Sequence, residues 1–416
     1  EPRTFSGVFH FLPPIFGHMS DKMIVGVIGA GTMGSGIAQV AAQAGHATVL
    51  FDTRKEAVDK AMVALQRTLE KLVEKGKLST VEAKALGDRI TPATDLQALS
   101  GCGLVIEAIV EDLSVKKKVF AELDALLSPD ALLASNTSSL SVTAIAAACS
   151  RPDRVVGLHF FNPAPLMPLV EVVPGVATDP RVTDATRQLM QDWGKVPVTC
   201  KDTPGFIVNR VARPYYGESI RIFEEGIADM ITIDHALKTI GGFRMGPFEL
   251  MDLIGNDINF TVTRTVWESF FYEPRYRPSF TQQRMVEAGW LGRKTGRGYF
   301  TYDEKGQPAA NAVPSIAPEL GERIIERVLA MLINEAADAL NLGVASKEDI
   351  DLAMTKGVNY PKGLLAWADE KGAAHWLGVL EVLQAEYGED RYRPSPLLRR
   401  MARNSQLFHG PAPAFR

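Results

Sequence analysis

The chain has 416 residues, 46% of them hydrophobic and 23% charged, a balance of folded globular domains that excludes disordered, collagen-like and low-complexity classes. Its net charge of −4, from 45 basic and 49 acidic residues, gives no basic surplus for nucleic acid or an anionic membrane surface. No apolar run approaches the roughly 18 residues that cross a bilayer, and Cys102, Cys149 and Cys200 are too widely spaced for a disulfide framework or a metal site, which fits a reducing cytoplasm.

Residues 1–18 mix Phe9, Phe11, Leu12 and Ile15 with Pro13 and Pro14 in no helical or strand period. With Gly17-His18-Met19 at its end, this stretch reads as an expression scar or disordered leader. Residues 23–28 form a short apolar run rich in β-branched side chains, which predicts a buried strand. Gly29-Ala-Gly31-Thr-Met-Gly34 follows at once, then an Ala-rich helix over 35–44, then a strand over 47–51 that ends at Asp52. In that setting Gly29 makes the tight turn, Gly31 lets a pyrophosphate approach the backbone, and Gly34 lets the helix pack close to the sheet. Asp52 lies 18 residues after Gly34, where a carboxylate accepts from a ribose 2′-hydroxyl and repels a 2′-phosphate, so NAD is favoured over NADP. Arg54 reads as a solvated charge.

A long amphipathic helix is predicted over 54–76, with Ala57, Ala61, Leu65, Leu69 and Leu72 inward. A second helix from 80 to about 87 completes a hairpin. Strands over 104–109, 132–135, 155–159 and 169–173 and a helix over 115–127 continue the alternation. The fold class is therefore α/β, a Rossmann-type doubly wound sheet with ligands at the strand C-terminal ends. Polar residues gather at those ends: Glu107, the run Ser135-Asn-Thr-Ser-Ser139, His159 and, on the next strand, Glu171. Oxidising a hydroxyl requires a group that takes its proton, and histidine titrates near neutrality. A carboxylate on the far imidazole nitrogen would fix the tautomer. A chain reversal over 162–168 could join Glu171 to His159. Taken singly, His159 reads more simply as a buried histidine bonded to backbone, and Glu171 as a strand-edge carboxylate.

The back half is helical, with one helix predicted over 208–226 and another over 232–240. It also repeats. At an offset of 117, Arg210, Glu218, Gly226, Asp234, Ala236, Gly246 and Asp252 meet Arg327, Glu335, Gly343, Asp351, Ala353, Gly363 and Asp369. At an offset of 116, Arg275-Tyr-Arg-Pro-Ser279 meets Arg391-Tyr-Arg-Pro-Ser395. Pro308, Pro314 and Pro318 with Gly306 mark the connection. The expected organisation is a dinucleotide domain over 22–202, a first all-α domain over 203–302, a linker over 303–320 and a second, degenerate all-α domain over 321–408. A short tail from His409 to Arg416 is expected to fray. The second copy has Glu326 where the first has Asn209.

Gly29-x-Gly31-x-x-Gly34, Val105-Ile-Glu-Ala-Ile109, Ala134-Ser-Asn-Thr-Ser-Ser-Leu140, Gly157-Leu-His-Phe-Phe-Asn-Pro163, Leu169-Val-Glu-Val172 and Lys201-Asp-Thr-Pro-Gly-Phe-Ile-Val-Asn-Arg210 together resemble the L-3-hydroxyacyl-CoA dehydrogenase family. The resemblance runs from about residue 22 to 302 and on to about 401. It implies reversible, NAD-dependent oxidation of a 3-hydroxyacyl-CoA to the 3-ketoacyl-CoA. By position, His159 would be the base, paired with Glu171, while Ser138 and Asn209 hold the substrate hydroxyl and thioester carbonyl. Asn136, Glu107, Lys116 and Asn162 would line the nicotinamide side, and Lys294 would reach the same cleft. Thr68 and Lys75 match the family's CoA contacts, with threonine where the family has serine. No metal is implied. In relatives with one helical domain that domain makes the dimer contact, so the resemblance implies an intramolecular pseudo-dimer, with further homo-oligomerisation open. Gly357-Val-Asn-Tyr-Pro-Lys362 and Arg391-Tyr-Arg-Pro-Ser395 look most like the phenylacetate-catabolism branch, which acts on 3-hydroxyadipyl-CoA. The alternatives are a 3-hydroxybutyryl-CoA dehydrogenase of fatty-acid β-oxidation type, a dehydrogenase of a small free hydroxy acid, and a catalytically idle NAD-binding structural protein. An arginine such as Arg244 could meet a distal carboxylate, although a surface charge is the simpler reading.

Overall fold

The computed structural model describes residues 23–309 and 316–410. The leader over 1–18, the middle of the linker and the last residues of the tail lie outside them.

Strand β1 (Val25–Ile28) is buried on both faces and runs into a turn where Gly29 takes φ +101°, a left-handed angle that side chains resist. Helix α1 (Thr32–Gln43) begins directly after it. A Cβ on Gly34 would stand 1.7 Å from the Gly29 carbonyl oxygen, so glycine is required for the helix to lie this close to the turn. The alternation continues through β2 (Thr48–Phe51), α2 (Lys55–Glu74), α3 (Thr80–Asp88), β3 (Ile90–Ala93), β4 (Leu104–Glu107), α4 (Leu113–Leu126), β5 (Leu132–Ser135), α5 (Val142–Ala146), β6 (Val155–Phe160), β7 (Leu169–Pro174), α6 (Pro180–Asp192) and β8 (Val196–Thr199).

The eight strands form one sheet in the order β3-β2-β1-β4-β5-β6-β7-β8. Every pairing is parallel except β6–β7, where a short reversal makes an antiparallel ladder. Strand order reverses between β1 and β4, which opens the crevice where such sheets take ligands. Along β4, Leu104 and Ile106 join one core, with α1 and α2, while Val105 joins the other, which continues into the helical half. On α2 the inward residues are Val58, Ala61, Leu65 and Leu69, whereas Ala57 and Leu72 are only half-buried.

The first helical unit holds α7 (Val208–Val211), α8 (Arg213–Glu224), α9 (Met230–Thr239), α10 (Pro247–Ile254), α11 (Asn256–Ser269) and α12 (Phe280–Glu287). The single helix expected over 208–226 is broken at Ala212, because Pro214 has no N–H to offer the Arg210 carbonyl and its ring crowds that oxygen. The second unit holds α13 (Pro318–Asn341), α14 (Lys347–Gly357), α15 (Leu364–Lys371), α16 (Ala373–Tyr387) and α17 (Pro396–Arg403). Helix α13 starts at Pro318, so the last three residues expected in the linker are helical. His409, expected to fray, donates its N–H to Asp369 at 2.8 Å and places Nε2 2.9 Å from Asp351.

The repeat is visible in the hydrogen bonds. Asp234 accepts from Phe248 and Glu249 N–H, each at 2.9 Å, and Asp351 accepts from Leu365 and Ala366 at 2.8 and 2.9 Å, all at the offset of 117. Between the units the partners are exchanged. Arg210 Nε donates to Glu335 Oε1 at 2.6 Å, and its counterpart Arg327 donates to Glu218 Oε1 at 2.6 Å. Tyr276 donates to Glu335, and Tyr392 to Glu218. The second unit also meets the sheet: α14 packs on β7 and β8, and Lys201 N–H donates to Val344 at 2.8 Å. Among the described residues no helix is long and apolar enough to cross a membrane.

Candidate active site

The cavity at the β1/β4 crevice has a volume of about 820 Å³ and is lined by Gly29, Gly31, Asp52, Arg54, Ala108 and Ile109 among others. An added Cβ on Gly31 would meet nothing within 4 Å, so the turn faces open space where phosphates need to approach. Asp52 accepts from Ala30 N–H at 3.0 Å and from Arg54 N–H at 2.9 Å. Burial pushes the Asp52 carboxyl up, but those N–H groups and the Arg54 guanidinium outweigh it and hold it below the usual carboxylate range. An ionised acid beside a glycine-turned helix N-terminus fits a dinucleotide without a 2′-phosphate. The side chains present therefore suit NAD.

Further along the sheet, β5, β6 and β7 carry the next group of expected residues. His159 and Glu171 are register partners across the β6–β7 ladder, with Nδ1 2.6 Å from Oε2. Glu171 is fully buried, and its other oxygen accepts from the Ile207 and Val208 N–H groups at 3.0 and 2.9 Å. His159 is 6% exposed and packs against Phe161 and Phe206, with ring centroids 4.5 and 5.8 Å away. Asn209, two residues past Ile207, points Nδ2 at the Ser138 carbonyl, 3.4 Å away. The expected His159–Glu171 and Ser138–Asn209 pairs are thus both brought together, and the first turn of α7 links them.

Other expected residues fall elsewhere. Asn136 accepts from Phe160 N–H at 2.8 Å and ties β5 to β6. Glu107 and Lys116, expected on the nicotinamide side, are 0% and 1% exposed and meet at 2.6 Å. Glu107 also accepts from Ser135 Oγ at 2.7 Å. That pair lies beneath the cleft surface, because Glu107 is still inside the strand. The carboxylate beside Ser138 is instead Glu111, beyond the strand end. Its Oε1 accepts from Thr137 Oγ1 at 2.6 Å and from Ser138 N–H at 2.9 Å, and Oε2 lies 3.2 Å from Lys116. Burial raises the Glu111 carboxyl, but Lys116 and the Thr137 and Ser138 donors bring it below its ordinary value. The rule that ligand groups follow the strand end could have pointed to it. Asn162 is exposed in the turn after β6. Lys294 pairs with Asp257 on α11 at 2.5 Å, and among the described residues it makes no hydrogen bond to the other expected site residues. Thr68 is exposed on α2, and Lys75, also exposed, is the residue that caps the helix's C-terminal end. Arg244 is exposed.

Known proteins resemble the chain over these same parts. The family description "3-hydroxyacyl-CoA dehydrogenase, NAD binding domain" matches residues 24–203. "3-Hydroxyacyl-CoA dehydrogenase, C-terminal domain" matches twice, over 205–302 and 324–409. A 3-hydroxyadipyl-CoA dehydrogenase of Escherichia coli K12 is 42% identical, covering 92% of this chain and 98% of that one. A probable 3-hydroxybutyryl-CoA dehydrogenase of Deinococcus radiodurans is 42% identical over 67% of this chain and 100% of its own. The crystal structure of a 3-hydroxybutyryl-CoA dehydrogenase from Escherichia coli K12 superposes with a TM-score of 0.86 at 41% identity, covering 92% of this chain and 98% of that one.

Proposed function

Since the chain belongs to the 3-hydroxyacyl-CoA dehydrogenase family and is an NAD-dependent oxidoreductase of 3-hydroxyacyl-CoA thioesters, we propose that its substrate is 3-hydroxyadipyl-CoA, an intermediate of phenylacetate catabolism. The observation that carries this reading is the 42% identity to the enzyme of that name over 92% of the chain, second helical copy included.

In the proposed mechanism Glu171 accepts a hydrogen bond from the Nδ1–H of His159, which leaves Nε2 unprotonated to take the C3 hydroxyl proton. The two N–H groups on Glu171 Oε1 keep that carboxylate oriented toward the imidazole, so it stabilises the imidazolium as it forms. Ser138 and Asn209 hold the substrate hydroxyl and thioester carbonyl. Glu111 fixes the loop that carries Ser138, and Asp52 holds the adenosine ribose. Asn136 and Asn162 serve the nicotinamide side, and the buried Glu107–Lys116 pair supports them from below. Thr68 and Lys75 offer α2 to the CoA phosphates; Lys294, paired with Asp257, is the remaining cation assigned to the cleft. When bound, NAD supplies the acceptor for the C3 hydride.

The domain division is read as 22–202, 203–302 and 321–408, with the two helical units forming an intramolecular pseudo-dimer. The exchanged Arg210–Glu335 and Arg327–Glu218 pairs support this, because exchange is what a two-fold axis produces. The three free cysteines support a cytoplasmic setting.

The test is kcat/KM for 3-hydroxyadipyl-CoA against 3-hydroxybutyryl-CoA, followed as NADH at 340 nm. A preference for the six-carbon diacid is expected. A preference for the four-carbon substrate would favour the second reading, a 3-hydroxybutyryl-CoA dehydrogenase, the name carried by the superposing Escherichia coli structure.

A further inference from the structure

Asn209 and Arg213 stand four residues apart across α7 and the start of α8, and Ala212 between them keeps right-handed helical angles. The two residues are therefore close neighbours across the break between α7 and α8, roughly one turn apart along the chain. Asn209 reaches toward Ser138, so Arg213 lies one turn beyond the end that holds the reacting carbon.

Arg213 is 7% exposed. Among the described residues, the buried arginines Arg154, Arg210, Arg327 and Arg391 each meet a carboxylate, at 2.8, 2.6, 2.6 and 3.2 Å. Arg213 meets none. Its Nη1 donates to Thr263 Oγ1 on α11 at 3.2 Å, its Nε is buried without an acceptor, and its guanidinium lies 5.0 Å from the centre of the Tyr216 ring. A second orphan comes from the other helical unit. Tyr360, between α14 and α15, is buried with no hydrogen-bond partner for its hydroxyl among the described residues. The two groups share one aromatic cluster: the Tyr360 ring packs 5.6 Å from that of Tyr215, which lies 5.7 Å from Tyr216, the ring beside the Arg213 guanidinium. Burial and Tyr216 push the Tyr360 hydroxyl's pKa up, and the Arg213 charge pulls against them. A buried cation with no counter-charge is costly, and the cost is removed when a ligand brings the anion.

We propose that Arg213 and Tyr360 are specificity-determining residues that bind the distal carboxylate of a dicarboxylic 3-hydroxyacyl-CoA while Ser138 and Asn209 hold its reacting end. This rests on the 3-hydroxyadipyl-CoA reading. In that substrate the free carboxylate lies three carbon–carbon bonds beyond the hydroxyl-bearing carbon, a reach that suits one helical turn plus an arginine side chain. A planar guanidinium takes a carboxylate through two parallel N–H donors, and the Tyr360 hydroxyl adds a third. Exposed Arg244 has no such setting. The second helical copy, which has Glu326 in place of Asn209, thereby contributes a group to the first copy's site.

The test compares kcat/KM for 3-hydroxyadipyl-CoA and 3-hydroxybutyryl-CoA in the full-length wild type, Arg213→Met, Arg213→Lys and Tyr360→Phe. The wild type favours the diacid. Arg213→Met lowers the diacid-to-butyryl ratio by about 10–100-fold, because a bound carboxylate is left without its charged partner. Tyr360→Phe lowers it by roughly 3–10-fold. Arg213→Lys, which keeps the charge but not the fork, lowers it by roughly 3–10-fold and carries the test if the methionine variant does not bind NADH. A diacid-preferring wild type whose ratio is unmoved in these variants overturns this assignment alone. A wild type that prefers the four-carbon substrate overturns the substrate reading and this assignment with it.

Discussion

Glu171 stands opposite His159 on the antiparallel β6–β7 ladder, 2.6 Å from its Nδ1, and its other oxygen holds the two N–H groups that begin α7. One carboxylate thus sets the imidazole tautomer and the position of Asn209, so changes at the dyad are expected to act on turnover rather than on cofactor binding. His159→Ala is expected to lower kcat by about 10²–10⁴-fold, and Glu171→Gln by roughly 10²-fold. NADH binding, read by fluorescence, should stay at the wild-type level. Turnover unchanged in His159→Ala would remove His159 from the chemistry.

Asp52 decides between cofactors by charge. Its carboxyl is held below the ordinary value, so it stays ionised through the neutral range and the preference for NAD should be flat from about pH 6 to 9. Asp52→Ala should shift the NAD-to-NADP ratio of kcat/KM toward NADP by about tenfold, the equivalent of roughly 1.4 kcal/mol. An unshifted ratio would assign cofactor choice to other groups.

The exchanged ion pairs make stability depend on both helical units. Glu335→Gln removes the charge that Arg210 meets at 2.6 Å, leaves it only Asp338 at 3.1 Å, and should cost about 3 kcal/mol. Glu218→Gln, its counterpart, should behave alike. The pair Arg210→Met with Glu335→Met should be less damaging than either single change, because two apolar groups leave no stranded charge. Chemical denaturation measures each of these variants and the two single methionine changes; equal losses from single and double variants would contradict the coupling.

Acid should act through the same residue. Burial raises the Glu335 carboxyl, but Arg210, Arg275 and Tyr276 outweigh it and hold it below its ordinary 4.5. A carboxyl whose pKa is depressed on folding stabilises the protein fully above the unfolded value and loses that contribution as pH falls through the folded one. Stability should therefore be level in this contribution above about pH 5 and decline below 4.5, more steeply in the wild type than in Glu335→Gln. Parallel declines in the two proteins would count against it.

The thiols are expected to be inert. Burial pushes Cys102 and Cys149 up to about 11, and Cys200 well above its ordinary value. At pH 8 a disulfide reagent should label the native protein slowly and leave activity intact, while the unfolded chain reacts at all three thiols. Rapid native labelling would contradict this.

Much of the fold and part of the site could be read without coordinates. Gly29, Gly31, Gly34 and Asp52 announce themselves because their work is local: a left-handed turn, a close approach, a helix start and a strand end. The repeat is legible because an offset of 117 preserves whole residue identities. Even the break in the 208–226 helix is a local event, written in Pro214. Other features are not local. Glu107 and Glu111 are both acids near one strand end, and only the path of the chain after β4 sends one beneath the cleft and the other to Ser138. An offset says that Arg210 and Arg327 are alike, but not that each takes the other copy's glutamate, which follows from how two helical units dock. Arg213 reads in the sequence as one of many cations. Its meaning comes from having no counter-charge among the described residues, and its surroundings draw on Thr263 and, through Tyr216 and Tyr215, on Tyr360, 50 and 147 residues along the chain. Periodicity and spacing carry what neighbours along the backbone impose, whereas burial and charge pairing arise only when distant segments exclude water from the same space.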